Sequence, residues 1–269
     1  MNLGVFYQSG HKLVACHIAL MQLRKIYPTI PIVLIEDGSD LLSHTAKEFD
    51  CNYTRIEQSG SNQSHSGRPV KDISSNLSFL ERAYKAQTTI LKNVEWVLFY
   101  EDDVWCKREI QRFPRFDLNG ANGPLYNIGL YNYLKNRFKI LDESRNHWSQ
   151  KGTLQSYQAC GGTIWNREKF ITAYENIHHI DWDLIFTLDN RPCEWVDASI
   201  SFVMQHAGFS CGKWDDWAQY DAKNKGNWFD KTGWTAPMSE QDDAAFIHLY
   251  KHFYNYKNDE LDLAKSIIV

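Results

Sequence analysis

The residues best equipped for chemistry are three consecutive acids, Glu101-Asp102-Asp103, which directly follow the apolar run Trp96 to Tyr100. Carboxylates crowded at the exit of a buried strand repel one another, so they are costly unless a cation or hydrogen-bond donors compensate them. Oxygen ligands of this type suit Mg2+ or Mn2+, ions that commonly bridge protein carboxylates to substrate phosphates. The plainer reading is that the acids cap the next element in solvent. Two more polar turns follow apolar runs, Gln8-Ser9-Gly10 and Glu36-Asp37-Gly38-Ser39.

Two later segments carry further candidates. Phe246, His248 and Tyr250 alternate with Ile247 and Leu249, which projects His248 from a strand beside Lys251. Helical spacing to His252 fits equally well, and a histidine among aromatics is often a packed residue. Asp197 stands in the first turn of an expected helix, shortly after Glu194. The helix dipole and capping favour an acid there on their own. Such a carboxylate also stays ionised, as a general base must.

The elements that must position these groups alternate. Leu3 to Tyr7 is expected as a strand, followed by the Gln8 to Gly10 turn and a helix from His11 to Tyr27 that Pro28 ends. Ile30 to Ile35 is a second strand, Leu41, Leu42, Thr45, Ala46 and Phe49 recur at helical spacing, and Cys51 to Ile56 is a third strand. Gln58 to Ser66 lacks periodicity and reads as a loop. A helix carrying Leu77, Leu80, Tyr84 and Leu91, capped by Ser74 or Ser75, leads into the strand Trp96 to Tyr100. This alternation implies a parallel sheet with helices on both faces, and ligands collect at the carboxyl ends of such strands. After Lys107 the pattern is broken by Pro114, Gly120, Gly123 and Pro124. A strand at Thr163 to Trp165, a helix marked by Phe170, Ala173, Tyr174 and Ile177, and a helix marked by Val196, Ile200, Val203, Met204 and Ala207 and closed by Gly208 are expected beyond it. Lys213 to Asp243 reads as an aromatic loop.

Composition narrows the function class. The chain has 269 residues and a formal charge of −4, with 43% hydrophobic and 23% charged residues. It can therefore bury a substantial core. A pI near 6.2 and the absence of a long basic run argue against nucleic acid as a partner. The apolar stretches are too short to span a bilayer and no leader precedes them, so a cytoplasmic protein is expected, with peripheral membrane association left open. The 6 cysteines lie far apart and read as reduced core residues. Tryptophan is unevenly spread, with 8 of 10 after residue 147.

The strand and helix at the start, Glu36-Asp37-Gly38-Ser39, the segment Trp-Val-Leu-Phe-Tyr-Glu-Asp-Asp-Val from Trp96 to Val104, and Gly161-Gly162-Thr163-Ile164-Trp165 together resemble the GT-A glycosyltransferases, nucleotide-sugar-dependent enzymes with a D-x-D or E-D-D metal motif. The resemblance covers about two thirds of the element order and does not place a narrower family. It implies a single Rossmann-like domain over 1–269, with a mostly parallel central sheet, a nucleotide-sugar-binding half at 1–106 and a smaller, irregular acceptor-binding half at 107–269. It implies Mn2+ or Mg2+ as cofactor, a nucleoside diphosphate sugar (UDP by default) as donor, and a glycan or glycoconjugate as acceptor. Asp103 would bind the metal, and Glu101 or Asp102 would reach the ribose or a metal-bound water, with Glu101 a further candidate ligand. Asp37 or Glu36 would accept from the nucleobase, Gln8 lines the same strand ends, and Lys71 and Arg82 would approach the nucleotide. His248 would add a metal ligand and Lys251 a diphosphate contact. Asp197, with Glu194 second, would deprotonate the acceptor. Gly161-Gly162 would let an acceptor approach the backbone or form a bulge. Trp165, Trp195 and the Trp214 to Trp234 segment would border the acceptor groove as sugar platforms, or be core residues. Two alternatives are a non-catalytic glycan-binding protein and a sugar nucleotidyltransferase. The latter would need a Gly-rich, Arg-containing loop after the first strand, which Gln8-Ser9-Gly10-His11-Lys12 does not resemble.

Overall fold

In the computed structural model, the residues described are 1–10, 12–57, 74–124, 155–183, 198–219, 243–248 and 253–268. The first three apolar runs become strands β1 (Leu3–Ser9), β2 (Ile32–Asp37) and β3 (Asn52–Ile56), separated by helices α1 (Leu13–Ile26) and α2 (Ser43–Glu48). Helix α3 (Ser74–Thr88) then feeds β4 (Trp96–Tyr100). These four strands pair in parallel in the order β3, β2, β1, β4, as crossover helices require.

Strand β8 (Ile164–Asn166) joins β4 antiparallel, and β6 (Leu118–Pro124) pairs antiparallel with both β8 and β7 (Gln155–Gln158). Strand β9 (Cys211–Lys213) runs parallel to β6 and completes an eight-stranded sheet. Parallel pairs thus outnumber antiparallel ones in a mixed α/β domain, and strands from both sides of residue 106 share one sheet. A three-stranded sheet stands beside it, in the order β10 (Trp217–Gln219), β11 (Phe246–His248), β5 (Val104–Cys106).

Side chains alternate across the pleat, so the main sheet feeds two cores. Phe6, Val33, Ile35, Val97 and Phe99 face α3 and helices α4 (Arg167–Glu175) and α5 (Ala198–His206). Val5, Tyr7, Leu34, Leu98 and Tyr100 face α1 and the small sheet. Helix α6 (Leu261–Ile268) packs on α1 through Ala264. Gly208, at φ +84°, ends α5, and the Phe209 N–H donates to the Met204 carbonyl at 3.0 Å. No helix among the described residues is long and apolar enough to cross a membrane.

Three expectations need correction. The turn at Gln8 to Gly10 is shorter than expected, because β1 continues through Ser9 by pairing with Glu36 of β2. The glycine-rich stretch after Asp117 is strand β6, not an irregular segment. Its entry is fixed by buried Asn119, whose side chain accepts from the Arg115 and Phe116 N–H groups and donates to the Phe116 carbonyl. Within the expected aromatic loop, Lys213 ends β9 and Trp217–Gln219 forms β10.

Phe99 sits where three elements meet, with ring centroids 5.9 Å from Phe6, 5.7 Å from Phe79 and 6.2 Å from Trp165. Phe99→Ala is expected to lower unfolding free energy by about 3–5 kcal/mol in urea titrations; a loss below about 1 kcal/mol would contradict this packing.

Candidate functional site

The acidic triplet forms the tight turn between β4 and β5, closed by the Val104 N–H donating to the Glu101 carbonyl at 3.1 Å. Strand β5 pairs antiparallel with β11 in a register that sets Val104 opposite His248. This pairing, between residues 144 apart in sequence, delivers the imidazole to the acids. His248 Nε2 lies 3.7 Å from Glu101 Oε2 and 3.7 Å from Asp103 Oδ1. One ligand atom from each of the three residues falls within a 4.8 Å span.

Asp102 takes a different role from its neighbours. Its Oδ1 accepts from the Tyr7 hydroxyl at 2.9 Å and its Oδ2 from the Ser9 hydroxyl at 2.9 Å, both on β1. Burial pushes the Tyr7 phenol pKa well up and Asp102 pushes it further, so the hydroxyl stays a donor. Asp102 therefore straps the turn to β1 and leaves Glu101 and Asp103 to face His248. For His248, burial opposes the charged form, but Cys160, Asp103 and Glu101 outweigh it and hold its pKa well above the ordinary value. A divalent cation among these groups would reverse that balance, since a ligating imidazole must be neutral.

At the neighbouring strand ends the buried side chains form a chain. Gln8 Nε2 donates to Asp37 Oδ2 at 3.2 Å, and Arg82 donates to Gln8 Oε1 through Nε at 3.3 Å and Nη2 at 3.2 Å. Arg82 Nη1 also donates to Ser78 Oγ at 2.6 Å. Burial lowers the Arg82 pKa, and Asp37 and Glu81 counter it. The structure thus brings together three of the residues expected at the nucleotide.

Glu36 is not available to a nucleobase. Its Oε1 accepts from the Ser39 hydroxyl and the Leu41 N–H, and its Oε2 from the Tyr53 hydroxyl and the Leu42 N–H. With each oxygen taking two donors, Glu36 holds the turn into α2. Trp165 is no sugar platform either: it is 0% exposed and donates through Nε1 to Gln87 Oε1. Trp214 and Trp217 are likewise buried, at 2% and 7% exposure, so for these three the tryptophan excess is packing. Lys71, Lys251, Glu194, Asp197, Trp195, Trp228 and Trp234 lie outside the described residues.

Around the acids stand residues to which the sequence assigned no role there. Cys160 stands beside His248 and helps to raise its pKa. Trp217 donates through Nε1 to the Gly161 carbonyl at 3.0 Å. Tyr254 has its pKa raised by burial and then by Asp102, Asp103 and Glu101, and Lys12 Nζ lies 4.5 Å from the centre of its ring. Lys12 stands three places after Ser9 in the first strand-end turn, and Trp217 falls in the late tryptophan segment.

No family model matches the chain, and no curated protein matches it. Solved structures do. Mouse xyloside xylosyltransferase 1 in its apo form is 10% identical and superposes with a TM-score of 0.51 over 92% of this chain and 97% of that one. The galactosyltransferase LgtC bound to donor and acceptor sugar analogues is 10% identical, with a TM-score of 0.48 over 92% of this chain and 86% of that one. A cytidylyltransferase from Leptospira borgpetersenii is 10% identical, with a TM-score of 0.36 over 80% and 76% of the two chains. The chain has the GT-A glycosyltransferase fold.

The turn held by Glu36 yields a pH prediction. Burial would raise the Glu36 pKa, but donation from Ser39, Tyr53 and the Leu41 and Leu42 N–H groups takes it below its ordinary value of 4.5. A carboxylate whose folded pKa is depressed contributes stability above its unfolded pKa and loses it as pH falls through the folded value. Glu36→Gln is therefore expected to cost about 1–3 kcal/mol near neutral pH. The difference should shrink as pH falls below 4.5. Urea titrations of both proteins across that range check it, and a difference that does not change with pH would contradict the assignment.

Proposed function

We propose that the protein is a divalent-metal-dependent glycosyltransferase, moving a sugar from a nucleoside diphosphate sugar, UDP-sugar first among the candidates, to a glycan or glycoconjugate acceptor. The observation that carries the reading is the convergence of Glu101, Asp103 and His248 within 4.8 Å at the carboxyl end of β4. Ligands collect at this edge of an open parallel sheet, and the fold supports the reaction class by analogy. Two carboxylates and one imidazole form a donor set that fits Mn2+, or Mg2+ with less preference for the nitrogen.

Bound there, the cation would supply Lewis-acid stabilisation of the charge that develops on the departing nucleoside diphosphate. The chain's own groups do the rest. Asp102 keeps the acidic turn in register with β1 through Tyr7 and Ser9. Arg82, Gln8 and Asp37 form a polar chain along the strand ends, placed to orient the nucleotide. Lys71 is assigned to the nucleotide and Lys251 to the diphosphate, and Asp197, with Glu194 second, takes the proton from the acceptor hydroxyl. In this reading the nucleotide-sugar-binding half is 1–106 and the acceptor-binding half 107–269, and the site of action is the cytoplasm.

The alternatives fit less well. A nucleotidyltransferase needs a triphosphate-holding loop after the first strand, whereas Gln8 and Ser9 are strand residues here. A lectin built on the late tryptophans loses Trp165, Trp214 and Trp217 to the core. A lectin would show glycan affinity and no donor turnover.

Thermal unfolding with a panel of nucleoside diphosphates tests the donor side. A saturating UDP and Mn2+ mixture should raise the Tm by roughly 5–10 °C at ligand near a hundredfold excess over Kd, and Asp103→Asn should remove most of that rise. No shift with any nucleoside diphosphate, or the same shift in Asp103→Asn, would overturn the reading. Asp197→Asn is expected to keep the shift and lower transfer to the acceptor about 10²–10⁴-fold; unchanged transfer would remove Asp197 as the base.

A further inference from the structure

We infer that the turn Cys160-Gly161-Gly162-Thr163 is a positioning device for the metal ligands, holding Glu101 and His248 in place. The inference rests on the metal-dependent reading above. The ligands are carried by different sheets: Glu101 leaves β4 of the main sheet, whereas His248 ends β11 of the small one. The pairing of β5 with β11 brings them together, and the turn adds a second link because it is bonded to both sheets. Toward the main sheet, the Gly162 N–H donates to the Phe99 carbonyl at 2.8 Å and the Phe99 N–H donates to the Thr163 carbonyl at 2.9 Å. Toward the small sheet, Trp217 Nε1 donates to the Gly161 carbonyl at 3.0 Å.

From that bridge the turn reaches each ligand. The Gly161 N–H donates to Glu101 Oε2 at 2.9 Å, which anchors that oxygen, and the turn lies directly against the His248 ring at Gly161, with the Cys160 side chain beside the imidazole and favouring its charged form. Thr163 locks the turn internally: its hydroxyl donates to the Cys160 carbonyl at 2.7 Å and accepts from the Cys160 N–H at 3.1 Å. Both glycines are required. Gly162 adopts φ +84°, where a side chain is strained. A Cβ on Gly161 would lie 2.5 Å from Val104 Cγ2, 2.8 Å from Glu101 Oε2 and 2.9 Å from His248 Cδ2. The glycine pair is thus explained by close approach to the ligands themselves. Groups that orient ligands from behind are worth about 10–100-fold in metal affinity.

Mn2+ binding by the full chain, read from loss of the free aquated ion's EPR signal, tests this without any turnover. Cys160→Ala should weaken Mn2+ at least about tenfold, while Cys160→Ser, which keeps a hydrogen-bonding group, should stay within about threefold of the parent chain. The Tm without metal should be similar in the two variants. Gly161→Ala should also weaken binding; if it fails to fold, the Cys160 pair decides. Cys160→Ala binding as tightly as the parent chain, or Cys160→Ser binding as weakly as Cys160→Ala, would overturn the positioning role and leave the functional reading standing. No Mn2+ binding by the parent chain would overturn both.

Discussion

Negative charge crowded into one turn is the constraint on which the rest of the site depends. Glu101 and Asp103 present oxygens within a 4.8 Å span, and two unit charges at that separation repel by about 3 kcal/mol at an effective dielectric near 20. Asp102 between them adds a third carboxylate. The structure disperses this charge by giving each acid a different partner set. Asp102 turns back onto two hydroxyls of β1, Glu101 takes a backbone N–H from Gly161, and Asp103 shares His248 with Glu101. Each solution draws in a separate element, so the turn ties together β1, β8 and the small sheet.

The small sheet follows from this need. Strand β5 has three residues and β11 has three, too few to be stable alone. They are held by packing of Phe246 and Trp217 into the core beneath β4. A second anchor is Asp216, directly before β10, which is fully buried and accepts from Arg108 Nη2 and from the Gln111 and Arg112 N–H groups at 2.7 Å each. Leaving that carboxylate without its donors would strand a buried charge, which is strongly unfavourable. The strand that carries His248 is therefore bracketed by a charge network on one side and apolar packing on the other.

The first hundred residues were legible because each element carries one strong local signal. Trp96 to Tyr100 is continuously apolar, Pro28 stops α1, and the strand–helix alternation fixes parallel pairing. The acidic triplet was legible for the same reason, as three charges abutting an apolar strand. The late strands were not, because their signals are long-range. Leu118–Pro124 is rich in glycine and asparagine and becomes a strand through pairing with β8, β7 and β9. His248 had equal claims to strand and helix until its pairing with Val104 decided them. Glu36 and Asp37 look alike in sequence, yet Glu36 is saturated by four local donors while Asp37 faces Gln8. Tryptophan count could not separate a groove from a core; Trp165 went to the core because it sits on a central strand of the main sheet, on the face covered by helices.

The central claim is that Glu101, Asp103 and His248 are the ligands of one divalent cation. Anomalous diffraction from crystals grown or soaked with Mn2+ measures this most directly, because the peak locates the ion independently of any assumed chemistry. The account predicts a single strong peak bounded by Glu101, Asp103 and His248, with Asp102 still on Tyr7 and Ser9. A well-ordered crystal with no peak there, or with Mn2+ bound at Asp102 or at another cluster, would contradict it.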